Sequence, residues 1–128
     1  MADVLIQAAL AARLHAIATF SHFLVGAAIE DESGQIHTGC NIENSTYGLT
    51  MCAERVAAFK ALSTGVCKFR RVAVAADTDT LTPPCGACRQ ILWEFCGDIE
   101  IILVNPRGAS ETLQLKSLFP RAFDASFL

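Results

Sequence analysis

The pattern of apolar and polar residues along the chain predicts an alternation of helices and strands. Apolar residues recur at helical spacing between Asp3, a suitable N-cap, and residue 18. The helical pattern returns later and predicts two more helices and a last helical turn, over residues 51–62, 86–95 and 117–119. Apolar and β-branched runs predict five strands, over residues 24–29, 35–40, 71–76, 99–104 and 111–115.

The order of these elements predicts the fold class. It is typical of an α/β protein, a three-layer α-β-α sandwich around a mixed five-stranded sheet. A turn that contains Asp31 and Gly34 joins the first two strands as a hairpin, and the continuous apolar run at 99–104 is expected to be a central strand. No linker or repeat divides the sequence, so a single domain over residues 1–128 is predicted.

The composition predicts that the chain self-associates. Hydrophobic residues make up 52% of the 128 residues, which is high for so small a protein. A small domain has much surface for its volume and cannot bury this apolar area in its own core alone. We therefore expect a homo-oligomer that buries apolar faces between its subunits.

Charge and hydropathy narrow the kinds of partner. The formal net charge is -3 with only 10 Lys and Arg, which argues against nucleic acid because a polyanion needs a basic surface. No apolar run reaches the ~18 residues of a membrane helix, and no basic region precedes the first apolar stretch as in a secretory signal. The sequence therefore predicts a cytoplasmic protein, bound neither to nucleic acid nor to a membrane, that acts on a small polar molecule.

Two short motifs far apart in the chain supply three thiols and one carboxylate: CAER at residues 52–55 and PCGACRQ at residues 84–90. Cys85 and Cys88 start one predicted helix, so both sulfurs can face one point, and Cys52 starts another. The N-termini of helices favour thiolates. Zinc with three protein ligands keeps its fourth position for water, whereas a structural site usually has four protein ligands. The three cysteines are therefore the predicted ligands of a catalytic Zn²⁺.

Each thiol also has a plainer interpretation. A single cysteine is often a small buried hydrophobe, and an isolated CxxC is often a redox or structural pair. Three further cysteines have no such neighbours in the sequence, and we expect them in the core: Cys40, Cys67 and Cys96.

Two residues beside Cys52 complete the predicted chemistry. Glu54 is too close in sequence to be a comfortable second ligand, but it can reach a zinc-bound water and act as general acid and base. Arg55 can donate to ligand sulfurs and offset the charge of three thiolates. The plain alternatives are a solvated glutamate at a helix start and a surface arginine.

Four colinear segments carry a family resemblance: FSHFLVGAAI at 20–29, TGCNIENSTYGLTMCAER at 38–55, PPCGACRQIL at 83–92 and LFPRAF at 118–123. Together they resemble the short, homotetrameric, zinc-dependent cytidine deaminases over nearly the whole chain. The family's usual Pro-Tyr before the first serine is here Thr19-Phe20. This departure bears on the lip of the pocket and therefore on nucleoside preference.

The resemblance implies a set of substrate-binding residues. Asn41 and Glu43, two apart at the end of a strand, would hold the ribose 3′-hydroxyl, although both types of side chain also serve turns. Phe23 would pack on the pyrimidine ring, although an aromatic residue beginning a strand is more often core. The residues that the resemblance assigns to the substrate, the last in a neighbouring subunit's site, are Phe23, Asn41, Glu43, Ser45, Tyr47, Ala53 and Phe123.

The resemblance also implies the reaction. Water activated by Zn²⁺ would attack C4 of cytidine or 2′-deoxycytidine, Glu54 would carry its proton to N3 and then to the leaving amine, and uridine and ammonia would result. The implied context is pyrimidine salvage by a homotetramer. Two alternatives stay open from the sequence: a deaminase of another aminopyrimidine, such as a cytosine-bearing antibiotic or a base within nucleic acid, and a non-catalytic zinc-stabilised binding module.

Overall fold

A computed structural model describes residues 3–128 of the chain, so residues 1 and 2 lie outside the described residues. A short 3₁₀ turn at Ala125–Phe127 follows the last of nine longer elements. In chain order these are α1 (Val4–Arg13), β1 (Val25–Asp31), β2 (Ile36–Cys40), α2 (Ala53–Leu62), β3 (Phe69–Ala76), α3 (Gly86–Cys96), β4 (Glu100–Val104), β5 (Ser110–Gln114) and α4 (Leu115–Leu118). Within residues 3–128, no helix is long and apolar enough to cross a membrane.

The five strands form one mixed sheet in the order β2-β1-β3-β4-β5. Strands β1 and β2 pair antiparallel, as the hairpin prediction requires, and β3 pairs antiparallel with β1. Strands β3 and β4 are parallel because α3 connects them, and β5 returns antiparallel to β4. Strand β4 is therefore an interior strand, although β3 occupies the middle of the sheet.

Helices cover both faces of the sheet, so the predicted three-layer sandwich is confirmed. Helix α1 packs Leu5 and Ala9 against small strand residues such as Ala28 and Ala73 on one face. Helices α2 and α3 bury alanines and Leu92 against the other face. Because successive strand residues point to opposite faces, β3 serves both clusters.

Two predicted helices are longer than the observed ones, the first at its C-terminal end and the second at its N-terminal end. Helix α1 ends at Arg13 rather than at residue 18, because Ile17 instead pairs with the chain that leaves β2. The Ile17 N–H donates to the Asn41 carbonyl at 2.9 Å, and the Glu43 N–H donates to the Ile17 carbonyl at 2.9 Å. Helix α2 begins at Ala53 rather than at residue 51, since Met51 forms a bridge with Ile42.

A glycine on β2 sets how closely α2 approaches the sheet. A Cβ added at Gly39 would lie 2.5 Å from both the Ala53 carbonyl oxygen and the Ala57 nitrogen. The backbones of β2 and the first turn of α2 therefore touch directly. This contact fixes the position of the N-terminus of α2, where Cys52 and Glu54 lie.

The prediction for the three remaining cysteines is wrong for Cys67. Its side chain is exposed, because Cys67 lies in the loop between α2 and β3 rather than on the buried face of a helix or strand. Cys40 and Cys96 are half-buried.

Candidate active site

The N-termini of α2 and α3 meet on one face of the sheet. Cys52 is the N-cap of α2, Cys85 is the N-cap of α3, and Cys88 lies in the first turn of α3. The fully buried Pro84 precedes Cys85 and fixes the entry of the chain into α3. Two distant motifs are thereby brought together at the positive ends of two helices.

The three sulfurs form a cluster with the dimensions of a zinc site. The Cys52 and Cys85 sulfurs are 3.7 Å apart, and those of Cys85 and Cys88 are 3.5 Å apart. Tetrahedral zinc with Zn–S bonds of about 2.3 Å separates its sulfurs by about 3.8 Å. Among the described residues, this is the one group of three such side chains whose ligand atoms all lie within 4.8 Å of one another. The donor set therefore fits Zn²⁺.

The charges around the cluster also favour a cation. The Cys88 thiol donates to the Cys52 sulfur and, together with Arg55, lowers the pKa of Cys52 to about 5. The pKa of Cys88 is raised, because its thiol proton is donated to the Cys52 thiolate and burial opposes a second charge. Once one thiolate has formed, a second is therefore harder to form beside it. A bound divalent cation would favour the thiolates and offset this effect.

Glu54 lies in the first turn of α2 with its side chain inside the protein. The residue is 5% exposed. Burial, with a smaller contribution from the charge of Cys52, raises the pKa of its carboxyl to about 7. A carboxyl that titrates near neutral pH can both accept and donate a proton, as general acid–base catalysis requires.

A cavity of about 230 Å³ opens beside these groups. Its walls combine apolar side chains with polar groups, which include Cys52, Cys85, Glu54, Asn41 and Glu43. The lining residues are Ser21, Phe23, Val25, Asn41, Glu43, Thr50, Met51, Cys52, Ala53, Glu54, Val74, Thr82, Pro83 and Cys85. Five of them are residues predicted from the sequence for catalysis or substrate binding: Phe23, Asn41, Glu43, Ala53 and Glu54. Two more, Cys52 and Cys85, are predicted metal ligands.

The cysteine cluster, the buried glutamate and the adjoining cavity agree with the comparisons with known proteins. The family model described as the cytidine and deoxycytidylate deaminase zinc-binding region matches residues 2–104. The chain belongs to this deaminase family. The family prediction and the prediction of zinc as the cofactor are both confirmed.

Close relatives support membership of the deaminase family along most of the chain. A cytidine deaminase of Sporosarcina psychrophila is 50% identical over 113 residues, which cover 88% of this chain and 83% of that protein. A cytidine deaminase of Halalkalibacterium halodurans is 46% identical over 124 residues, covering 96% and 94%. A crystal structure of cytidine deaminase from Burkholderia pseudomallei superposes with a TM-score of 0.92 at 42% identity, covering 96% of this chain and all of that one.

In this member of the deaminase family, the two polar residues that follow β2, Asn41 and Glu43, also bond residues 20–25 beside the cavity. The Asn41 side chain accepts from the Val25 N–H and donates to the Phe23 carbonyl, both at 2.8 Å. This leaves one N–H and one lone pair of its amide for a ligand. Glu43 binds the neighbouring residues Phe20 and Ser21 through its carboxylate.

Three residues that the deaminase resemblance assigns to the substrate lie outside the cavity. Ser45 and Tyr47 belong to an exposed loop, where Tyr47 contacts Phe20 edge-on at 5.4 Å between ring centroids. Phe123 is 58% exposed on the C-terminal tail and stacks on Phe127. Their roles toward the substrate stay predictions, as do the roles of the other site residues.

Several lining residues were not predicted, among them Ser21. Its hydroxyl bonds both Phe23 and Glu43 at the mouth of the cavity. Ser21 lies within the first segment that resembles the deaminases, so the signal was present in the sequence. Its contacts were not, because Glu43 is 22 residues away in the chain.

Proposed function

We propose that the chain catalyses the zinc-dependent hydrolytic deamination of cytidine, and of 2′-deoxycytidine, to the uracil nucleoside and ammonia. The observation that carries the proposal is the position of Glu54, a buried carboxyl at the wall of a cavity shared with Cys52 and Cys85. A site that only held a structural metal would have no use for an ionisable carboxyl there.

Each of the chain's residues has a part in this proposal. Cys52, Cys85 and Cys88 would hold the metal, and Zn²⁺ bound there supplies a nucleophilic water at neutral pH. Glu54 holds the proton released by that water, passes it to N3 of the pyrimidine and then protonates the departing amino group at C4. Its pKa near 7 suits both transfers.

The remaining side chains would bind and orient the nucleoside. Phe23 would pack on the face of the base, and Asn41 and Glu43 would bond the sugar 3′-hydroxyl in the same cavity. The Ala53 backbone, Ser45 and Tyr47 would line the same region. A site whose polar groups need a hydroxyl partner discriminates against ligands that lack it.

We propose further that the protein is a single catalytic domain over residues 1–128, works in the cytoplasm in pyrimidine salvage, and assembles as a homotetramer. Exposed apolar side chains support assembly, because large contiguous apolar surfaces usually mark interfaces. The large apolar residues that are more than two thirds exposed are Val4, Leu14, Tyr47, Leu49, Phe127 and Leu128. Phe123 would complete the site of a neighbouring subunit.

The test compares the wild type with Glu54→Gln by the loss of the cytidine absorbance band, with uridine identified by chromatography. We expect kcat to fall by roughly 10²–10⁴-fold, the usual contribution of a general acid–base group, with zinc content unchanged. Glu94→Gln, an exposed position on α3, is the matched control and should retain full activity.

Two outcomes would contradict the proposal. A zinc-loaded wild type that does not convert cytidine excludes cytidine as substrate. Full activity of Glu54→Gln at equal zinc content excludes Glu54 as the proton carrier.

A further inference from the structure

The hydroxyl of Ser21 connects two groups of the cavity that the proposed function uses separately. Its oxygen accepts the Phe23 N–H at 3.0 Å, and its proton is donated to the Oε2 of Glu43. One hydroxyl therefore connects the backbone of the residue proposed to pack on the base with the carboxylate proposed for the sugar.

The Glu43 carboxylate is held on its other oxygen as well. Its Oε1 accepts the backbone N–H groups of Phe20 at 2.9 Å and of Ser21 at 3.0 Å. Three donors thus converge on one carboxylate and lower its pKa, chiefly through the Ser21 hydroxyl. A carboxylate has about four acceptor sites, so one remains on Oε2 for a donor in the cavity.

The segment that supplies these donors is a tight turn. The His22 N–H donates to the Ala18 carbonyl at 2.9 Å, and His22 has a φ of 59°. The first N–H groups of such a turn have no partner within it, and Glu43 satisfies two of them. These hydrogen bonds therefore connect the turn to the chain that follows β2. Of the three donors, only the Ser21 hydroxyl belongs to a side chain.

We propose that Ser21 is a positioning residue that holds Glu43 ready for the sugar hydroxyl and thereby sets the preference for nucleosides with a free 3′-hydroxyl. The inference rests on the proposed function, in which Glu43 accepts from that hydroxyl. Ser21 does not touch the reacting atoms. It fixes one rotamer of Glu43 before the substrate arrives, which removes an ordering cost from binding.

A merely structural role would have a different consequence. If Ser21 only stabilised the turn, its loss would lower activity toward every nucleoside by the same factor. If it positions Glu43, its loss must lower activity more for substrates that carry the 3′-hydroxyl. The ratio of kcat/KM for cytidine to kcat/KM for 3′-deoxycytidine separates the two roles.

The experiment measures this ratio for the zinc enzyme and its Ser21→Ala, Ser21→Thr and Glu43→Gln variants. A hydrogen bond to a charged group is typically strong enough that its loss should lower the ratio roughly 10-fold in Ser21→Ala. Ser21→Thr keeps the hydroxyl and should restore the ratio to within about twofold of wild type. Ser110→Ala, an exposed serine on β5 without a side-chain hydrogen bond in the described structure, should leave it unchanged.

The outcomes distinguish a failure of the inference from a failure of its premise. If Glu43→Gln lowers the ratio but Ser21→Ala does not, the positioning role of Ser21 is overturned while the sugar site stands. If Glu43→Gln also leaves the ratio unchanged, the sugar site itself is wrong and the inference falls with it. A lowered melting temperature for Ser21→Ala with an unchanged ratio overturns the inference in favour of turn stability.

Discussion

The Nη2 of Arg55 lies 3.3 Å from the sulfur of Cys52, three residues earlier at the N-cap of the same helix. The spacing of three residues places both side chains on one face of α2. The Nε of Arg55 is buried and has no hydrogen-bond partner in the part of the chain that the structure describes. The guanidinium is thus kept beside the sulfur cluster, although its own hydrogen bonds are incomplete. We propose that it acts on the metal ligands rather than on the fold.

We expect Arg55→Gln to weaken zinc retention and turnover more than folding. Loss of the charge beside the Cys52 sulfur should lower metal affinity or kcat by about 10–100-fold, as is usual for groups that hold metal ligands. The measurements are zinc release to a chelator, kcat, and urea unfolding of the zinc-loaded protein. Lys68→Gln removes a positive charge at an exposed position and is the control. Unchanged zinc release and kcat in Arg55→Gln would remove this role.

Phe123 provides a test of shared sites. We expect Phe123→Ala and Glu54→Gln each to be nearly inactive, and their equimolar mixture, after dissociation and reassembly, to recover about a quarter of wild-type activity. The fraction follows because half of the subunits keep Glu54 and half of their neighbours keep Phe123, if subunits mix at random in a symmetric oligomer. A mixture of Glu54→Gln with Cys52→Ala should recover nothing, since both defects lie in the same chain's site. Activity equal to the sum of the two unmixed variants would show that the sites are not shared.

The contact between β2 and α2 predicts a strong effect of a single methyl group. Gly39→Ala should lower the free energy of unfolding by roughly 1–3 kcal/mol, the usual cost of overpacking, because backbone atoms of α2 lie in the way. The movement of α2 should also loosen the hold of Cys52 on zinc. Urea unfolding measures the first effect and chelator competition the second. Gly86→Ala adds a methyl group in open space and should leave stability almost unchanged.

The hairpin turn predicts an acid-sensitive contribution to stability. The buried Asp31 accepts from the Ser33 hydroxyl, the His37 ring at 2.9 Å and the Gln35 N–H, which hold its pKa well below the ordinary value. A lowered folded-state pKa means that this stability is present above about pH 4, the ordinary aspartate value, and is lost as the pH falls below it.

Asp31→Asn should therefore lower the urea midpoint at pH 7, and the difference from wild type should narrow as the pH falls below about 4. Urea titrations at a series of pH values check the trend. Glu32→Gln, at the exposed neighbouring position, should follow the wild type throughout. A difference that stayed constant into acid would mean that the carboxylate charge does not contribute.

The metal cluster was predictable from the sequence because each motif places its cysteines at the start of a helix. Helix starts can be recognised locally, and three thiols in one chain have few common uses. The five strands followed in the same way from apolar runs and turn residues. What decided these features lies within a few residues of each position.

The contacts of Ile17 and Ser21 beside the cavity were not predictable, for the opposite reason. Residues 14–18 continue a helical pattern, yet Ile17 pairs with the chain that leaves β2. Ser21 contacts Glu43, which is distant in sequence. The exposure of Cys67 depends on where α2 ends rather than on the residue type. Local preference is overridden wherever a distant backbone offers hydrogen bonds. Phe123 goes a step further, since its proposed partner belongs to another subunit.

Helix α3 carries two of the cysteines and also holds the C-terminal tail. Arg89 donates to the carbonyls of Pro84 and Leu118, Gln90 donates to the Phe123 carbonyl, and the Trp93 ring donates to the Asp124 carboxylate. During synthesis on the ribosome, the cysteines emerge before the tail that steadies their helix. The zinc site is therefore finished among the last parts of the nascent chain. A product truncated before residue 118 would contain all three cysteines, but the helix that carries two of them would lack these tail contacts.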